Sequence, residues 1–346
     1  GQTRWLLAAD FDGDGWLDLF VSQIIGAHSF IFWGGPEGFS AERVSVLLTD
    51  GVASANAADL DGDGYLDLIL GCHMSTRKTH RMESYVTIYW GGPDGYSEER
   101  KLQLPATCAN SVTVGDYRGR GMLDIFATSY NDGRFRDINS FLYEAQDEPG
   151  DYRLHKYRTL FSHSASGCVS GDFNGDGYTD LAVASHKEFG NHCSHSFIYW
   201  GGPDGLSEDR KTVLPTIGPH GMSTVNPGNI MDRSDSEFYY SAPFALPDGA
   251  VARGLSWTGE CTSVSRVKLA IRAVDADTDG CGGEFERTLK SAVSERALKE
   301  AAWIEVEADA DLSALDLRGV VQYRLELIAP CSCGTPRIES VTLSYG

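Results

Sequence analysis

The feature that most constrains this chain is a pair of short motifs that recur in phase. Asp10-Phe-Asp12-Gly-Asp14-Gly-Trp16-Leu-Asp18 returns as Asp59-Leu-Asp61-Gly-Asp63-Gly-Tyr65-Leu-Asp67. It returns again as Asp116-Tyr-Arg118-Gly-Arg120-Gly-Met122-Leu-Asp124 and as Asp172-Phe-Asn174-Gly-Asp176-Gly-Tyr178-Thr-Asp180. The first aspartates lie 49, 57 and 56 residues apart. Trp33-Gly-Gly-Pro-Glu-Gly-Phe-Ser40 is repeated at Trp90 and Trp200, 57 and then 110 residues on, and the third repeat carries Tyr143-Glu144 instead. A fixed period of this length means stacked supersecondary units, none of which can bury its own apolar face alone. In the second repeat, 53–58, 66–70, 85–90 and 101–104 are apolar or alternating runs separated by Gly, Pro and Asp turns, so each repeat reads as four short strands. Four strands per ~55 residues, repeated radially, describe a β-propeller blade.

The acidic loops carry a specific chemistry. Ca2+ takes six to eight hard oxygen ligands, and a glycine at the sixth loop position permits the sharp turn that wraps them inward. The first loop offers Asp10, Asp12, Asp14, the Trp16 carbonyl and Asp18. The second offers Asp59, Asp61, Asp63, the Tyr65 carbonyl and Asp67, and the fourth Asp172, Asn174, Asp176, the Tyr178 carbonyl and Asp180. Carboxylates clustered in this way repel one another without a cation. In the third loop Arg118 and Arg120 occupy two ligand positions, and arginine has no acceptor to give. That loop is expected to be ion-free, with a guanidinium pairing with Asp116 or Asp124. A fifth acidic stretch, Asp275, Asp277, Asp279 and Glu286, has the spacing of an EF-hand loop without its helices, and is either a further Ca2+ site or a solvated hairpin.

The acidic loop followed by Trp-Gly-Gly-Pro-x-Gly, repeated over roughly residues 1–215, resembles the FG-GAP/VCBS repeat family, to which integrin-α propellers belong. The resemblance implies a calcium-binding propeller in an extracellular setting. It does not imply one activity, because propellers host many.

The expected architecture is all-β: propeller repeats over 1–235, four of them clear and a degenerate fifth over 222–244, then an antiparallel β-sandwich over 236–346. The sandwich is read from alternating runs at 237–244, 254–257, 266–274, 304–307, 320–327 and 337–345, with a short helix over 294–302. The net charge of −20, from 49 acidic against 29 basic residues, argues against nucleic acid and anionic membranes as partners. No apolar run reaches the length of a transmembrane helix. Residues 1–25 lack the pattern of a signal peptide, so the chain is read as a trimmed product or as cut from something longer. Eight cysteines, an even number, fit an oxidising compartment, and disulfides are expected within each half: Cys72, Cys108, Cys168 and Cys193, and Cys261, Cys281, Cys331 and Cys333.

The acidic loops join the first and second strands of each repeat. The loops joining the second and third strands therefore lie at the opposite end. They are basic and rich in imidazole: His73 and Arg77, Tyr130 and Arg134, His186 and His192, with Gln23, His28, Lys78, His80, Arg81, Asn131, Arg136, Lys187 and His195 around them. This rim is the candidate ligand surface. Three functions stay open: an extracellular Ca2+-stiffened binding or adhesion protein engaging glycans or proteins, a secreted polysaccharide lyase or hydrolase, and a surface or filament subunit that self-assembles through open blade edges. The catalytic reading has no Gly-x-Ser-x-Gly elbow, His-Glu-x-x-His helix or phosphate loop behind it.

Overall fold

The structure is a computed structural model that describes residues 2–74, 83–220, 236–247, 249–274, 297–331 and 334–346. These residues form an all-β chain, with a helical stretch at 297–300 and one 3-10 turn, Ser313–Leu315. It divides into two units: Gly1–Asp235 with Pro330–Gly334, and Ser236–Ala329 with Thr335–Gly346.

The first unit holds four antiparallel sheets, each a four-stranded meander made by one sequence repeat. Sheet I is β1 (Gln2–Ala9), β2 (Asp18–Ile25), β3 (His28–Phe32) and β4 (Val44–Leu48). Sheet II is β5 (Val52–Ala58), β6 (Asp67–Cys72), β7 (Glu83–Tyr89) and β8 (Lys101–Thr107). Sheet III is β9 (Val112–Gly115), β10 (Asp124–Ala127), β11 (Asp137–Tyr143) and β12 (Arg158–His163). Sheet IV is β13 (Ala165–Gly171), β14 (Asp180–Ser185), β15 (Cys193–Tyr199) and β16 (Lys211–Ile217).

The middle strands are apolar on both faces: β6, β10 and β14 are buried along their whole length. Such strands need a neighbouring sheet on each side. First strands pack in sequence order, β1 on β5, β5 on β9 and β9 on β13. Phe11, Phe20 and Ile31 of the first repeat share a core with Leu68, Leu70 and Tyr89 of the second. Tyr117, Phe126 and Leu142 of the third share one with Leu181, Phe197 and Tyr199 of the fourth. In sheets II, III and IV a tyrosine at the end of the third strand ties the sheet to the outer strand of the sheet before. The Tyr89 hydroxyl donates to the Leu48 carbonyl (2.6 Å), that of Tyr143 to Pro105, and that of Tyr199 to Phe161 (2.7 Å). All four first strands or their lead-ins line one cavity, which Trp5, Ala53, Ser111 and Ser166 border together.

The second unit begins with β17 (Ser236–Tyr240) and β18 (Phe244–Ala245), followed by β19 (Ala252–Glu260) and β20 (Arg266–Val274). Its remaining strands are β21 (Ile304–Val306), β22 (Val320–Ile328) and β23 (Arg337–Tyr345). One sheet runs β17-β22-β20-β21 with β18 also on β22, and β19 pairs with β23 in a second. Leu255 of β19 packs with Leu269, Ile271, Val321 and Leu325 of the larger sheet. The expected fifth repeat over 222–244 is corrected at its C-terminal end. Ser236–Tyr240 and Phe244–Ala245 pair with β22 and belong to the second unit's sheet, while 222–235 lie outside the described residues.

The cysteine expectation is corrected for the first half and for Cys261. Cys72, Cys108, Cys168, Cys193 and Cys261 are free thiols; of the described cysteines only Cys331 is not. The buried thiols sit apart, Cys72 in β6, Cys108 between β8 and β9 and Cys168 in β13, each beside its own polar partner. Cys72 faces the Thr87 hydroxyl (3.8 Å), Cys108 faces the His73 ring (3.4 Å), and Cys168 donates to Ser111 (3.4 Å). Cys281 and Cys333 lie outside the described residues.

Candidate metal centre

Each acidic loop leaves the first strand of its sheet and turns back into the second. Glycines at loop positions four and six make this possible. Gly13 and Gly15 have φ of 72° and 87°, Gly62 and Gly64 of 78° and 91°, and Gly175 and Gly177 of 76° and 86°, a left-handed region that side chains resist. The first aspartate organises the turn. Asp10 accepts from the Asp14 and Gly15 N–H groups (3.1 and 2.8 Å), and Asp59 from Gly62, Asp63 and Gly64 (2.8, 3.1 and 3.1 Å). Asp172 accepts from Gly175, Asp176 and Gly177 (2.7, 3.2 and 2.9 Å). Asp116 of the third loop does the same with Arg120 and Gly121 (3.0 and 2.6 Å).

The last aspartate joins the two sequence motifs. Asp18 accepts from Phe11 within its loop (2.8 Å) and from Gly34 of the Trp-Gly-Gly turn (2.7 Å). Asp67 does so with Leu60 and Gly91 (2.8 Å each), and Asp180 with Phe173 and Gly201 (2.9 and 2.8 Å). The turn must carry glycine here. A Cβ on Gly34, Gly91 or Gly201 would lie 2.0–2.4 Å from the carbonyl oxygen of Leu17, Leu66 or Thr179. An arginine ten residues after each tryptophan, Arg43, Arg100 or Arg210, closes the turn by donating to the carbonyl of Gly38, Gly91 or Gly201. These arginines were visible as a third in-phase position, but their charge hid them among ordinary surface residues.

In the first two loops, carboxylate oxygens of Asp10, Asp12 and Asp18, and of Asp59, Asp61 and Asp67, converge within 4.8 Å of one another. The fifth-position Asp14, Asp63 and Asp176 accept from the N–H groups of Trp16, Tyr65 and Tyr178 (2.8, 3.0 and 2.9 Å). In the fourth loop the Asn174 amide donates to Asp176 (3.0 Å). Burial pushes Asp18 up to about 6 and Asp67 up to about 8, against the hydrogen bonds from the Gly34 and Gly91 N–H groups. Burial also raises Asp10, Asp12, Asp61 and Asp180, with neighbouring carboxylates adding to it. The oxygen sets of the first two loops fit a hard divalent cation, whose charge would offset their repulsion.

The third loop has the same backbone and a different charge. The Arg118 guanidinium donates to Asp124 (2.7 and 3.3 Å) and to the Ala145 carbonyl (2.8 Å). Of the two partners considered for it, Asp116 and Asp124, it takes Asp124, which is fully buried. Asp124 still accepts from the Ala145 N–H (3.0 Å), the position that Gly34 holds in the first repeat.

At the opposite end, the residues six after the last loop aspartate are His73, Tyr130 and His186. They are equivalent by repeat and come together in one cluster. His73 and His186 each lie 5.9 Å from Tyr130, ring centre to ring centre. Their N–H groups donate to the Gly51, Cys108 and Ser164 carbonyls (2.8, 3.2 and 3.2 Å). Cys108 and Ser164 hold the left-handed φ of 50° without being glycine. His192 joins at 4.7 Å from His186, and Arg136 lies 5.0 Å over Tyr130. His220, which sequence reasoning missed because it lies beyond the last motif, packs 4.5 Å from His186. Arg134 is not part of the cluster and covers Phe135 (4.8 Å). His195 instead pairs with Glu188 (2.6 Å). Arg77, Asp275, Asp277, Asp279 and Glu286 lie outside the described residues.

Comparison with known proteins bears on the repeats. Residues 10–70 match the model of the FG-GAP-like repeat, and residues 165–191 that of the FG-GAP repeat. No curated protein matches the chain. Among solved structures, the crystal structure of the V. cholerae biofilm matrix protein Bap1 is similar at 12% identity and a TM-score of 0.35. That similarity covers 94% of this chain and 58% of Bap1, so the chain spans little more than half of that protein's length. This chain is a β-rich protein that carries FG-GAP repeats.

Proposed function

We propose that the four sheets of the first unit are blades of a β-propeller stiffened by Ca2+ in the first, second and fourth acidic loops, and that the protein is an extracellular, non-catalytic binding or structural protein. The observation that carries this is the contrast between loops of one backbone. In the first two loops three carboxylates converge, and no guanidinium among the described residues is bonded to any of the three. Where two are replaced, a guanidinium supplies the charge on the equivalent aspartate. Asp10, Asp12, Asp14 and Asp18 would hold one ion with the Trp16 carbonyl, and the second and fourth loops would do the same with their own sets. The ion would fix the turn that Asp18, Asp67 or Asp180 ties to the Trp-Gly-Gly motif. Sites of this kind in extracellular modules saturate at the calcium levels found outside cells. No helix among the described residues is long and apolar enough to cross a membrane. The second unit is read as the β-sandwich accessory module, because Leu255 and its strand pack on the larger sheet through one apolar core. Self-assembly keeps one specific support: Val213, Leu214 and Ile217 of β16 are exposed.

Calorimetry of the calcium-free protein tests the reading. Three Ca2+ are expected in the first unit, and Asp12→Ala should remove one. An ion held by Asp116 and Asp124, or no calcium binding at all, would refute it.

A further inference from the structure

Sheets that are apolar on both faces need cover on both, and sheet I has it on one. Its Phe20, Ile31 and Leu47 pack on sheet II. The strand register sets Leu6, Val21, Phe30 and Val46 side by side on the other face, with Leu19 beside Phe32. All six are apolar, and Leu6 and Val46 are 59% and 56% exposed. The corresponding face of sheet II, with Ala55, Leu68, Leu70 and Tyr89, is covered by sheet I and is nowhere more than 5% exposed. Sheet IV is open on the opposite side. Its Leu181, Val183, Phe197 and Tyr199 share a core with sheet III, and Val169, Ala182, Ile198 and Leu214 alternate with them onto the far face. Leu214 is 39% exposed, whereas Ile69, Ile88 and Leu104 on the same face of sheet II are fully buried. In the single chain both open faces meet water, and contiguous apolar surface of this kind marks a docking site.

The seams between consecutive sheets say what fits there. Leu48, Pro105, Phe161 and Pro215 are equivalent, each pairing with the residue four before the end of its sheet's third strand. Where this residue has an N–H, the next repeat brings a glutamate to accept from it: Glu98 for Leu48 (3.3 Å) and Glu208 for Phe161 (2.6 Å). Pro105 has no N–H. The third repeat, which packs there through the Tyr143 hydroxyl, has Leu154 at the glutamate position, three residues before the partner of that tyrosine's strand position. The two open ends follow the same rule. Sheet IV carries Pro215, and the first repeat has Ala41 where the second and fourth have glutamate. A proline without an N–H thus faces a repeat without a carboxylate, and neither leaves a buried polar group unpaired. We propose that sheet I of one copy docks on sheet IV of a second copy of this chain, a head-to-tail contact that continues the stacking order of the four sheets. This rests on the proposed function only in taking the sheets as blades of one array, and it needs no bound calcium.

Light scattering on the full chain over a range of concentrations tests it, with Val46→Glu on sheet I and Leu214→Glu on sheet IV. Both side chains are exposed in the single chain, so both variants should fold, and an unchanged urea midpoint at low concentration checks this. The parent chain should gain mass with concentration, to a dimer or beyond. Each variant should associate at least about tenfold more weakly, because its carboxylate would be buried in an apolar contact. An equal mixture of the two variants should recover a dimer, since each supplies the face that the other has lost. Neither position lies in an acidic loop, so calcium binding measured on the same variants reports separately on the proposed ion sites. A parent chain that stays monomeric at every concentration would overturn the proposal and leave the cover to ring closure or to another protein. Leu214→Glu associating like the parent would mean that sheet I pairs with itself, and a mixture that stays monomeric would rule out the head-to-tail contact.

Discussion

Replacing Asp61 and Asp67 separately distinguishes an ion ligand from a backbone clamp within one loop. Asp61 is half-exposed and accepts one N–H, that of Asp63 at 3.2 Å, which Asp59 also accepts. Without calcium, Asp61→Ala therefore costs less than about 1 kcal/mol. With about 10 mM calcium, and a site of the extracellular class, mass action contributes about 1.4–2.7 kcal/mol that the variant forfeits. Asp67 is fully buried and is an acceptor for the Leu60 and Gly91 N–H groups, both at 2.8 Å. Asp67→Ala leaves two buried donors without that acceptor, at about 1–3 kcal/mol each, whether or not calcium is present. Relief of the buried carboxyl offsets part of this. Urea unfolding followed by tryptophan fluorescence, in calcium and in chelator, reads both variants. If Asp61→Ala lost the same stability in both conditions, its carboxylate would serve the turn and not an ion. If Asp67→Ala were silent in chelator, the clamp would be wrong.

Arg118→Asp combined with Arg120→Asp should convert the third loop into a fourth calcium site, because Asp116 and Asp124 already hold the backbone; an unchanged calorimetric stoichiometry would show that the loop lacks the geometry. In calcium-free buffer stability should fall as pH rises from about 4 towards 8. Burial holds Asp18, Asp124 and Asp67 at about 6, 7 and 8 when folded, above the 3.8 of a free aspartate, so their contribution is complete below 3.8 and lost as pH passes the folded values. Urea midpoints that rise over this range would contradict that sign. Under native conditions a thiol reagent should label Cys193 and Cys261, which are exposed, and leave Cys72, Cys108 and Cys168 unmodified until unfolding. Peptide mapping that finds Cys168 labelled as fast as Cys193 would mean that the fourth sheet opens readily.

The repeat period made the four sheets and the position of every acidic loop readable, because glycine and aspartate act locally, through their own turn. What the sequence concealed was shared between repeats. Asp18 looks like a ligand, but its hydrogen bonds to Phe11 and Gly34 explain why Asp124 persists in a loop that has lost two ligands. His73 and His186 were legible as equivalent positions. Tyr130 completes that set, yet the contribution of His220 depends on how a segment with no repeat signal returns to this cluster. Even parity of cysteines misled in the first half, since it does not say whether thiols meet, and Cys72, Cys108, Cys168 and Cys193 are all free.

The tie between consecutive sheets carries a final asymmetry. In the second repeat the Tyr89 hydroxyl, the Glu98 carboxylate and Lys101 form one group at the seam with Leu48 of the sheet before. The fourth repeat builds the same group from Tyr199, Glu208 and Lys211 against Phe161. The first repeat has Phe32, Ala41 and Val44 at these positions, so all three polar members are replaced together. The first strand of sheet I is also largely exposed, whereas β5, β9 and β13 are mostly buried. Whatever lies against sheet I in solution is not held by this polar seam. Tyr89→Phe and Tyr199→Phe should therefore each cost about 1 kcal/mol, the worth of one hydrogen bond. Phe32→Tyr should stay within about 0.5 kcal/mol, as expected for a hydroxyl that can reach water. A much larger loss for Phe32→Tyr would mean that an apolar surface covers this face and that the new hydroxyl is buried without a partner. Repeating the measurement at several protein concentrations would then show whether that surface belongs to a second copy.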